Sequence, residues 1–269
     1  MSNDDALQAE CQAHEERLKK LGIEVPEGIP LAIRNERDGG IAVWIPPGPF
    51  LMGSEDEEAR SAEMPVHEVR VSGFYMDIYP VTNAQYARFV EETGHRPPKG
   101  GWKWSKWKKK NPPEGFENCP VVLVSWQDAQ NYCEWAGKRL PTEAEWEKAA
   151  RGGLEGKKYP WGDTIEPGHA NYEDDVGRTT PVGSYPPNGY GLYDVAGNVW
   201  EWCADWFDEG YYAISPEEDP QGPESGSHRV LRGGCWHRDA TSLRCSNRYR
   251  HDPNHPVNTI GFRCVRNPQ

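Results

Sequence analysis

The last third of the chain reads GYGLYD at residues 189–194, GNVWEW at residues 197–202, RGG at residues 232–234 and IGFRC at residues 260–264. Glycine, aromatic and amide residues alternate here with almost no helical period. Such a composition is typical of irregular backbone that is held by buried indoles and side-chain hydrogen bonds. These stretches predict a domain dominated by loops rather than by long helices.

The overall composition indicates a folded domain with an acidic surface. The chain has 269 residues, a formal charge of −12, twelve Trp and twelve Tyr. This length suits one large domain or a domain with an extension, and the aromatic residues can anchor a core. The acidic charge argues against nucleic acid as a partner, because such a surface needs clustered cations. One basic stretch, residues 99–110, interleaves lysines with Trp102, Trp104 and Trp107, and we favour a solvated loop there over stacking on bases.

Targeting signals and cysteine usage indicate a cellular compartment. The N-terminus has no apolar segment typical of a signal peptide, and no apolar run is long enough to span a membrane. We therefore expect a cytoplasmic location without membrane contact. The seven cysteines include no CxxC pair, which argues against a zinc ribbon. In a reducing compartment most of them would be free thiols.

Residues 1–40 differ from the rest of the chain and predict an amphipathic helix with a linker. The residues that recur at helical spacing are Leu7, Cys11, His14, Leu18 and Leu21. The helix should end near Gly22, and Pro26, Gly28 and Pro30 mark the linker. This helix could dock on the domain or bind a partner, of which docking is the commoner outcome. The domain proper is expected at residues 41–269, beginning with a strand at residues 41–45.

Three further helices are predicted from their caps. Their capping boxes pair Thr82 with Gln85, Ser125 with Asp128, and Thr142 with Glu145, and their stops are Gly94, Gly137 and Gly152. After Gly152 we predict only short strands and loops.

The stretch GKRLPTEAEW at residues 137–146, together with the four C-terminal motifs, resembles the formylglycine-generating enzymes, or sulfatase-modifying factors. The resemblance covers roughly residues 41–266, with the motifs in family order. It implies an α+β domain of the variant C-type lectin fold. Such a domain has little regular secondary structure, short antiparallel strands and about three helices.

The resemblance also implies two structural calcium sites. Calcium takes six to eight oxygen ligands and accepts backbone carbonyls readily. The implied ligands are Asn171, Tyr172 (carbonyl), Asp174 and Val176 (carbonyl) at the first site, and Asp194, Gly197 (carbonyl), Val199 (carbonyl) and Glu201 at the second. The choice of Asp174 over Asp175 stays open. In the alternative interpretation these carboxylates cap turns and accept hydrogen bonds from backbone amides.

Enzymes of this family bind copper(I) between two thiolates that follow the RGG motif, and the metal activates oxygen to oxidise a substrate cysteine. Counting from Gly234, those positions hold Arg238 and Leu243, and neither can ligate copper. We therefore do not expect copper or iron, although Cys235 and Cys245 leave a changed metal site as an alternative. Cys133 and Cys264 match positions that are disulfide-bonded in secreted members. We expect them to be adjacent, and bonded only in an oxidising compartment.

Residues 235–259 lie between two rigid motifs and carry chemically diverse side chains. The predicted ligand-binding residues are Trp236, His237, Arg238, Tyr249, His251, Asn254, His255 and Asn258. Aromatic, arginine and amide groups on a stiff scaffold suit recognition, because little loop entropy is lost on binding. We favour exposed histidines here over a transition-metal site.

Three functional hypotheses follow. The first is a module that binds a protein or small-molecule ligand, similar to the variable proteins of diversity-generating retroelements. The second is a metal-dependent oxidoreductase, either a divergent formylglycine generator or an iron or copper enzyme like the related sulfoxide synthases. The third is a regulatory or assembly subunit that docks through its N-terminal helix. Whether the chain is an enzyme is left undecided, with binding favoured.

Overall fold

A computed structural model of the protein describes residues 3–24, 27–101 and 105–268. Pro26 of the predicted linker and residues 102–104 of the basic stretch lie outside these ranges. The described chain forms the α-helices α1 (Asn3–Lys20), α2 (Asn83–Thr93), α3 (Trp126–Ala136) and α4 (Glu143–Arg151). Its strands are β1 (Ala32–Arg34), β2 (Ile41–Ile45), β3 (Gly48–Met52), β4 (His67–Val71), β5 (Phe74–Asp77), β6 (Trp200–Trp206), β7 (Arg229–Arg232), β8 (Tyr249–His251), β9 (Ile260–Gly261) and β10 (Val265–Arg266). The α+β prediction is confirmed.

The described strands form three small sheets. The first has the order β1-β2-β5-β10 and is antiparallel, and the second is the β3-β4 pair. The third has the order β8-β7-β6-β9, in which β6 and β9 are parallel. Because Ala32 in β1 pairs with Val43 in β2, the first sheet includes residues before the strand at residues 41–45. With three residues, β1 is too short to show an alternating pattern in the sequence.

Helix α1 docks on the first sheet. Leu18 is fully buried and belongs to the same apolar cluster as β2. On the same helix face His14 is buried, and its Nε2 atom lies 2.6 Å from the carbonyl oxygen of Trp44 in β2. Burial lowers the pKa of His14, because the charged imidazolium is disfavoured away from water. The docking prediction is confirmed, whereas binding of a partner to this helix stays a prediction.

The three capping boxes form as predicted. The side chains of Thr82, Ser125 and Thr142 each accept a hydrogen bond from the backbone amide three residues on. Each helix ends at a glycine in the left-handed region, with φ of 72° at Gly94 and 68° at Gly137. That conformation costs glycine little, since it has no Cβ. No described helix is both long and apolar enough to cross a membrane.

Two large apolar clusters form the interior. One surrounds β2, β5 and α4, and the other lies among α2, α3 and β6. In the second cluster the ring of Tyr132 lies 5.9 Å from Tyr86 and 5.4 Å from Phe262, measured between ring centroids. These contacts join α3 to α2 and to the C-terminal IGFRC motif. The aromatic residues therefore supply much of a core that the modest fraction of apolar residues would not by itself predict.

Buried arginines attach the C-terminal segment to α4. Arg232 is fully buried between two acidic residues of that helix, Glu147 and Glu143. The Arg232 guanidinium also donates hydrogen bonds to the backbone carbonyl oxygens of residues 245–247. Arg248, which is 2% exposed, forms a two-point pair with Glu143 at 2.7 and 2.9 Å. Helix α4 thus fixes the position of a segment that has little secondary structure of its own.

The pKa of Asp205 yields a prediction about stability. Its Oδ2 atom accepts a hydrogen bond from the backbone amide of Glu143 at 2.8 Å. Burial, assisted by the nearby Glu143 carboxylate, raises the pKa of Asp205 to about 8. An unfolded aspartate titrates near pH ~3.9. Between these two pH values the unfolded chain has lost a proton that the folded chain keeps, so stability falls as pH rises.

We expect Asp205→Asn to remove this decline, because asparagine keeps the acceptor oxygen without ionising. The free energy of unfolding of the variant, relative to the natural sequence, should rise by about 3 kcal/mol between pH 5 and pH 7.5. Urea denaturation at both pH values measures this difference. The exposed Glu224→Gln is the control and should follow the natural sequence. Parallel pH profiles for Asp205→Asn and the natural sequence would contradict the prediction.

Candidate ligand-binding site

The predicted binding segment, residues 235–259, is not one continuous surface. Residues 236–241 and 249–259 are exposed or half-buried, whereas residues 242–248 between them are buried. The buried part includes Arg244, which pairs with Glu63 at 2.7 and 2.8 Å. All eight predicted ligand-binding residues lie in the two accessible parts. The segment therefore offers two separate surfaces held by a common buried base.

One of these surfaces borders a cavity of about 570 Å³, which we call the histidine groove. Three of the predicted residues line it, namely Tyr249, His251 and His255. The remaining lining residues are Arg60, Ser61, Ala62, Phe207, Glu209, His228, Arg248, Arg250 and Asp252. The rings of His251 and His255 are 5.9 Å apart between centroids, and His251 Nε2 lies 2.7 Å from the His255 carbonyl oxygen.

Aromatic stacking makes the strand beneath this groove rigid. The Tyr249 ring in β8 stacks on Trp200 at a centroid distance of 5.1 Å. In the neighbouring strand β7, the Arg229 guanidinium lies between the rings of Trp126 and Trp206, at 3.8 and 3.5 Å from their centroids. Such cation–π contacts are strongest when the cation is shielded from water. Side chains on β8 are thus presented from a fixed base, which reduces the entropy lost on binding.

Two exposed arginines give the histidine groove a distinct chemistry. Arg60 and Arg250 have no carboxylate within 4.0 Å among the residues that the structure describes. Arg250 lies over the Phe207 ring at 5.0 Å. The acidic side chains of the groove are already hydrogen-bonded, Glu209 to the Ser61 hydroxyl and Asp252 to the Asn254 amide. Arginine with aromatic groups is a composition typical of binding hot spots.

The other surface contains three of the remaining predicted residues, Trp236, His237 and Arg238. Trp236 and His237 have ring centroids 5.1 Å apart, and the Arg238 guanidinium lies 5.6 Å from the Tyr249 ring. Asn258 instead lines a shallow recess with Leu123, and the exposed Asn254 lines neither it nor the histidine groove. Tyr249 therefore contributes to both surfaces and connects them.

The resemblance assigns copper to the positions that Arg238 and Leu243 occupy. Leu243 is buried, and Arg238 is a cation. Cys235 and Cys245 are buried in different apolar clusters, and burial raises the pKa of each thiol to about 12. Only the thiolate ligates copper or acts as a nucleophile. Among the described residues, no three His, Cys, Asp or Glu side chains lie together as a transition-metal site.

Cys133 and Cys264 are adjacent, as predicted. Their Sγ atoms are 3.3 Å apart and both residues are fully buried as free thiols. Helix α3 and the IGFRC motif thus meet at this point.

The first predicted calcium region contains an unsatisfied oxygen. The Asn171 Oδ1 atom is buried and, among the described residues, has no hydrogen-bond partner. Its Nδ2 atom donates to the Arg178 carbonyl at 2.9 Å, which fixes the orientation of the amide. Asp174 and Val176 are exposed, and the backbone amide of Asp174 donates to the Trp236 carbonyl at 2.9 Å. The donor set at this loop fits a calcium ion, which the free amide oxygen could ligate.

The second predicted region is arranged differently. Both Glu201 oxygens accept hydrogen bonds from the Arg263 guanidinium at 2.7 Å, and Oε2 also accepts from Trp146 Nε1 at 2.7 Å. Asp194 accepts from the Gly183 amide at 2.7 Å, and burial raises its pKa to about 6. The carbonyls of Gly197 and Val199 complete the predicted ligand set, and the Gly197 carbonyl accepts from the Val199 amide. Because the Arg263 guanidinium already pairs with both oxygens of the Glu201 carboxylate, this set of ligands fits a metal cation poorly.

The sequence of this chain is similar to those of several known proteins. Residues 30–268 match the sulfatase-modifying factor enzyme 1-like domain. The chain belongs to this family. It is 42% identical over 279 residues to the formylglycine-generating enzyme of Streptomyces coelicolor, covering 83% of this chain and 88% of that protein. It is also 45% identical over 236 residues to the serine/threonine-protein kinase pkn1 of Chlamydia pneumoniae, covering 84% of this chain and only 38% of the kinase.

Solved structures agree with the family assignment. PvdO from Pseudomonas aeruginosa superposes with a TM-score of 0.77 at 30% identity, covering 91% of this chain and all of that one. Variable protein 1 of Treponema denticola superposes with a TM-score of 0.73 at 25% identity, covering 88% of this chain and 98% of that one. The predicted formylglycine-generating-enzyme-like fold is confirmed.

Sequence reasoning missed part of the histidine groove. Arg60, Phe207 and His228 were not predicted as site residues, yet they line it together with β8. Arg60 lies in the connection from β3 to β4, whereas Phe207 and His228 lie at the two ends of the connection from β6 to β7. Nothing in their local sequence distinguishes them from ordinary loop residues, because only the packing of those loops against β8 brings them together.

The buried pair of Glu201 and Arg263 gives a prediction about stability. Replacing Glu201 by Gln keeps a partner for the Trp146 indole but leaves the Arg263 cation buried without its counter-charge. We expect a loss of about 3–5 kcal/mol in the free energy of unfolding, measured by urea denaturation. The exposed pair of Arg88 and Glu92 supplies the control, since Glu92→Gln should lower the free energy of unfolding far less than Glu201→Gln does. Equal losses in the two variants would contradict the structural role of the buried pair.

Proposed function

We propose that this domain is a binding module, which recognises a protein or small-molecule ligand through residues 235–259 and uses the histidine groove as its main contact surface. The observation that carries the proposal is the identity of two residues. Arg238 and Leu243 occupy the positions at which the family's oxidases carry their copper-binding cysteines. A domain that keeps the scaffold without these thiolates cannot hold copper(I) in the same way.

The composition of the surface supports this proposal. Tyr249, Arg250 and His251 are presented on β8, which is an edge strand of its sheet. Arginine and tyrosine contribute disproportionately to binding energy when they are held rigidly. The superposition with Treponema denticola variable protein 1 is consistent with a related use of the scaffold.

The first test addresses oxidation directly. We expect the purified protein, supplied with copper(I), to consume no oxygen above the buffer rate in the presence of a cysteine-containing peptide. The Streptomyces coelicolor enzyme, assayed in parallel, is the positive control. Stoichiometric copper binding together with peptide-dependent oxygen uptake would favour the oxidoreductase hypothesis instead. That hypothesis is the second candidate because this chain is 42% identical to the Streptomyces coelicolor enzyme.

A second test addresses binding. Peptides that bind the natural domain can be selected from a displayed library, and their affinities measured for variants. We expect Arg250→Ala to weaken the selected peptides by about 30-fold, the loss typical of a hot-spot residue, and His255→Ala to weaken them measurably. Arg88→Ala, on the exposed face of α2, should leave affinity unchanged. Selected peptides that bind all three variants equally well would contradict the assignment of the groove.

We further propose a structural calcium ion at the first region, supported by the free Asn171 oxygen. Calcium should then raise the melting temperature of the natural protein. Asp174→Asn should abolish the increase, because it removes a charged oxygen ligand, while Asp175→Asn retains the increase. Asparagine tolerates the left-handed backbone of Asp174, where φ is 58°. An increase that survives Asp174→Asn would contradict this ligand assignment.

A further inference from the structure

A second cavity, of about 380 Å³, lies among the end of α1, the connection from β2 to β3, and α4. The apolar side chains that form most of its walls include Leu21, Ile23, Pro47, Phe50, Leu154 and Tyr190. It shares no lining residue with the histidine groove. Its volume lies within the range of small-molecule sites in proteins.

One wall of this cavity carries a buried cation. Lys148, in the middle of α4, is only 5% exposed. Its ammonium donates one hydrogen bond, to the Gly48 carbonyl at 2.5 Å, and lies 5.9 Å from the centre of the Phe50 ring. Within the described residues no carboxylate lies within 4.0 Å of it. Burial lowers the pKa of Lys148 to about 8, which reflects the missing counter-charge.

The other charged groups of the cavity already have partners or lie at its mouth. Arg151 pairs with Glu147 at 2.7 Å, and Glu68 pairs with Arg70 at 3.0 Å. Glu155 is exposed at the rim. The uncompensated charge in the wall is therefore that of Lys148.

Packing does not explain the presence of this lysine. A buried cation without a counter-charge costs several kcal/mol. Methionine has a similar length and a similar helix propensity, and would fill the same position without that cost. A group whose burial is unfavourable, in the wall of a mostly apolar cavity, has the character of a ligand-binding group.

We propose that this cavity binds a small monocarboxylic acid with an apolar body. The ligand's carboxylate pairs with the Lys148 ammonium, and its hydrocarbon part packs against Leu21, Phe50 and Tyr190. A single carboxylate matches the single cation, whereas a dianion would bring excess charge into apolar surroundings. The ammonium keeps donors beyond the one used by Gly48, and these suit the two oxygens of a carboxylate.

Decanoate is a suitable probe, measured by isothermal titration calorimetry on the full chain. We expect one decanoate per chain, and at least a tenfold loss of affinity in Lys148→Met. Decan-1-ol, which has the same chain without the charge, should bind more weakly and equally to both proteins. The control Lys20→Met, on the exposed end of α1, should bind decanoate like the natural protein. Lys148→Met removes an unpaired buried charge, so it should fold at least as stably.

A pH series separates charge pairing from a merely structural role. Because pairing requires the ammonium, decanoate affinity in the natural protein should fall as pH rises above 8, where unliganded Lys148 loses its proton. The other charged or titratable groups facing the cavity are Arg151, Glu68, Glu155 and Tyr190, and Asp219 acts on Lys148 from nearby. Lys148→Met keeps all of them, so its affinity should not change over the same pH range.

Three results would overturn the proposal. These are the absence of saturable decanoate binding to the natural protein, equal decanoate affinity in Lys148→Met, and equal affinities for decanoate and decan-1-ol. Each of these results would leave the proposed function of the histidine groove untouched, because the two cavities have no lining residue in common.

Discussion

The pairing of buried arginines with buried glutamates is the constraint on which the C-terminal half of this domain depends. Arg232 and Arg248 are held by Glu143 and Glu147 of α4, and Arg263 is held by Glu201 of β6. A guanidinium can donate five hydrogen bonds in a fixed plane, so each arginine also donates to backbone carbonyls. These side chains supply hydrogen-bond donors to backbone carbonyls of the loops. The domain can therefore fold with little regular secondary structure.

This arrangement also determines where function can lie. Residues 242–248 are used as the buried base of the C-terminal segment, because their arginines face inward. The accessible residues on either side of them are then presented on a support that is buried and tied to the core by ion pairs. Aromatic stacking of Tyr249 on Trp200 adds to this rigidity. A surface of this kind can tolerate changes in its exposed side chains, since few of them contribute to the interior.

Much of the fold could be predicted from local sequence. The capping boxes at Thr82, Ser125 and Thr142 and the glycine stops were all predicted, because caps are read from residues three or four positions apart. The adjacency of Cys133 and Cys264 was also predicted, although from the resemblance to the family. In contrast, β1 was missed, since three residues carry no periodic signal and the strand exists only through its pairing with β2.

The sequence by itself determined the family and the helices, because each of these depends on residue identity at fixed spacing. Only the tertiary structure decided that Glu201 pairs with Arg263, and that Arg60, Phe207 and His228 share a groove with β8. It also decided that Lys148, in a helix that otherwise packs into the core, lies in a cavity wall with no carboxylate within 4.0 Å among the described residues. The physical reason is common to all three. Burial, charge pairing and cavity formation depend on contacts between segments far apart in the chain, and residue spacing does not encode those contacts.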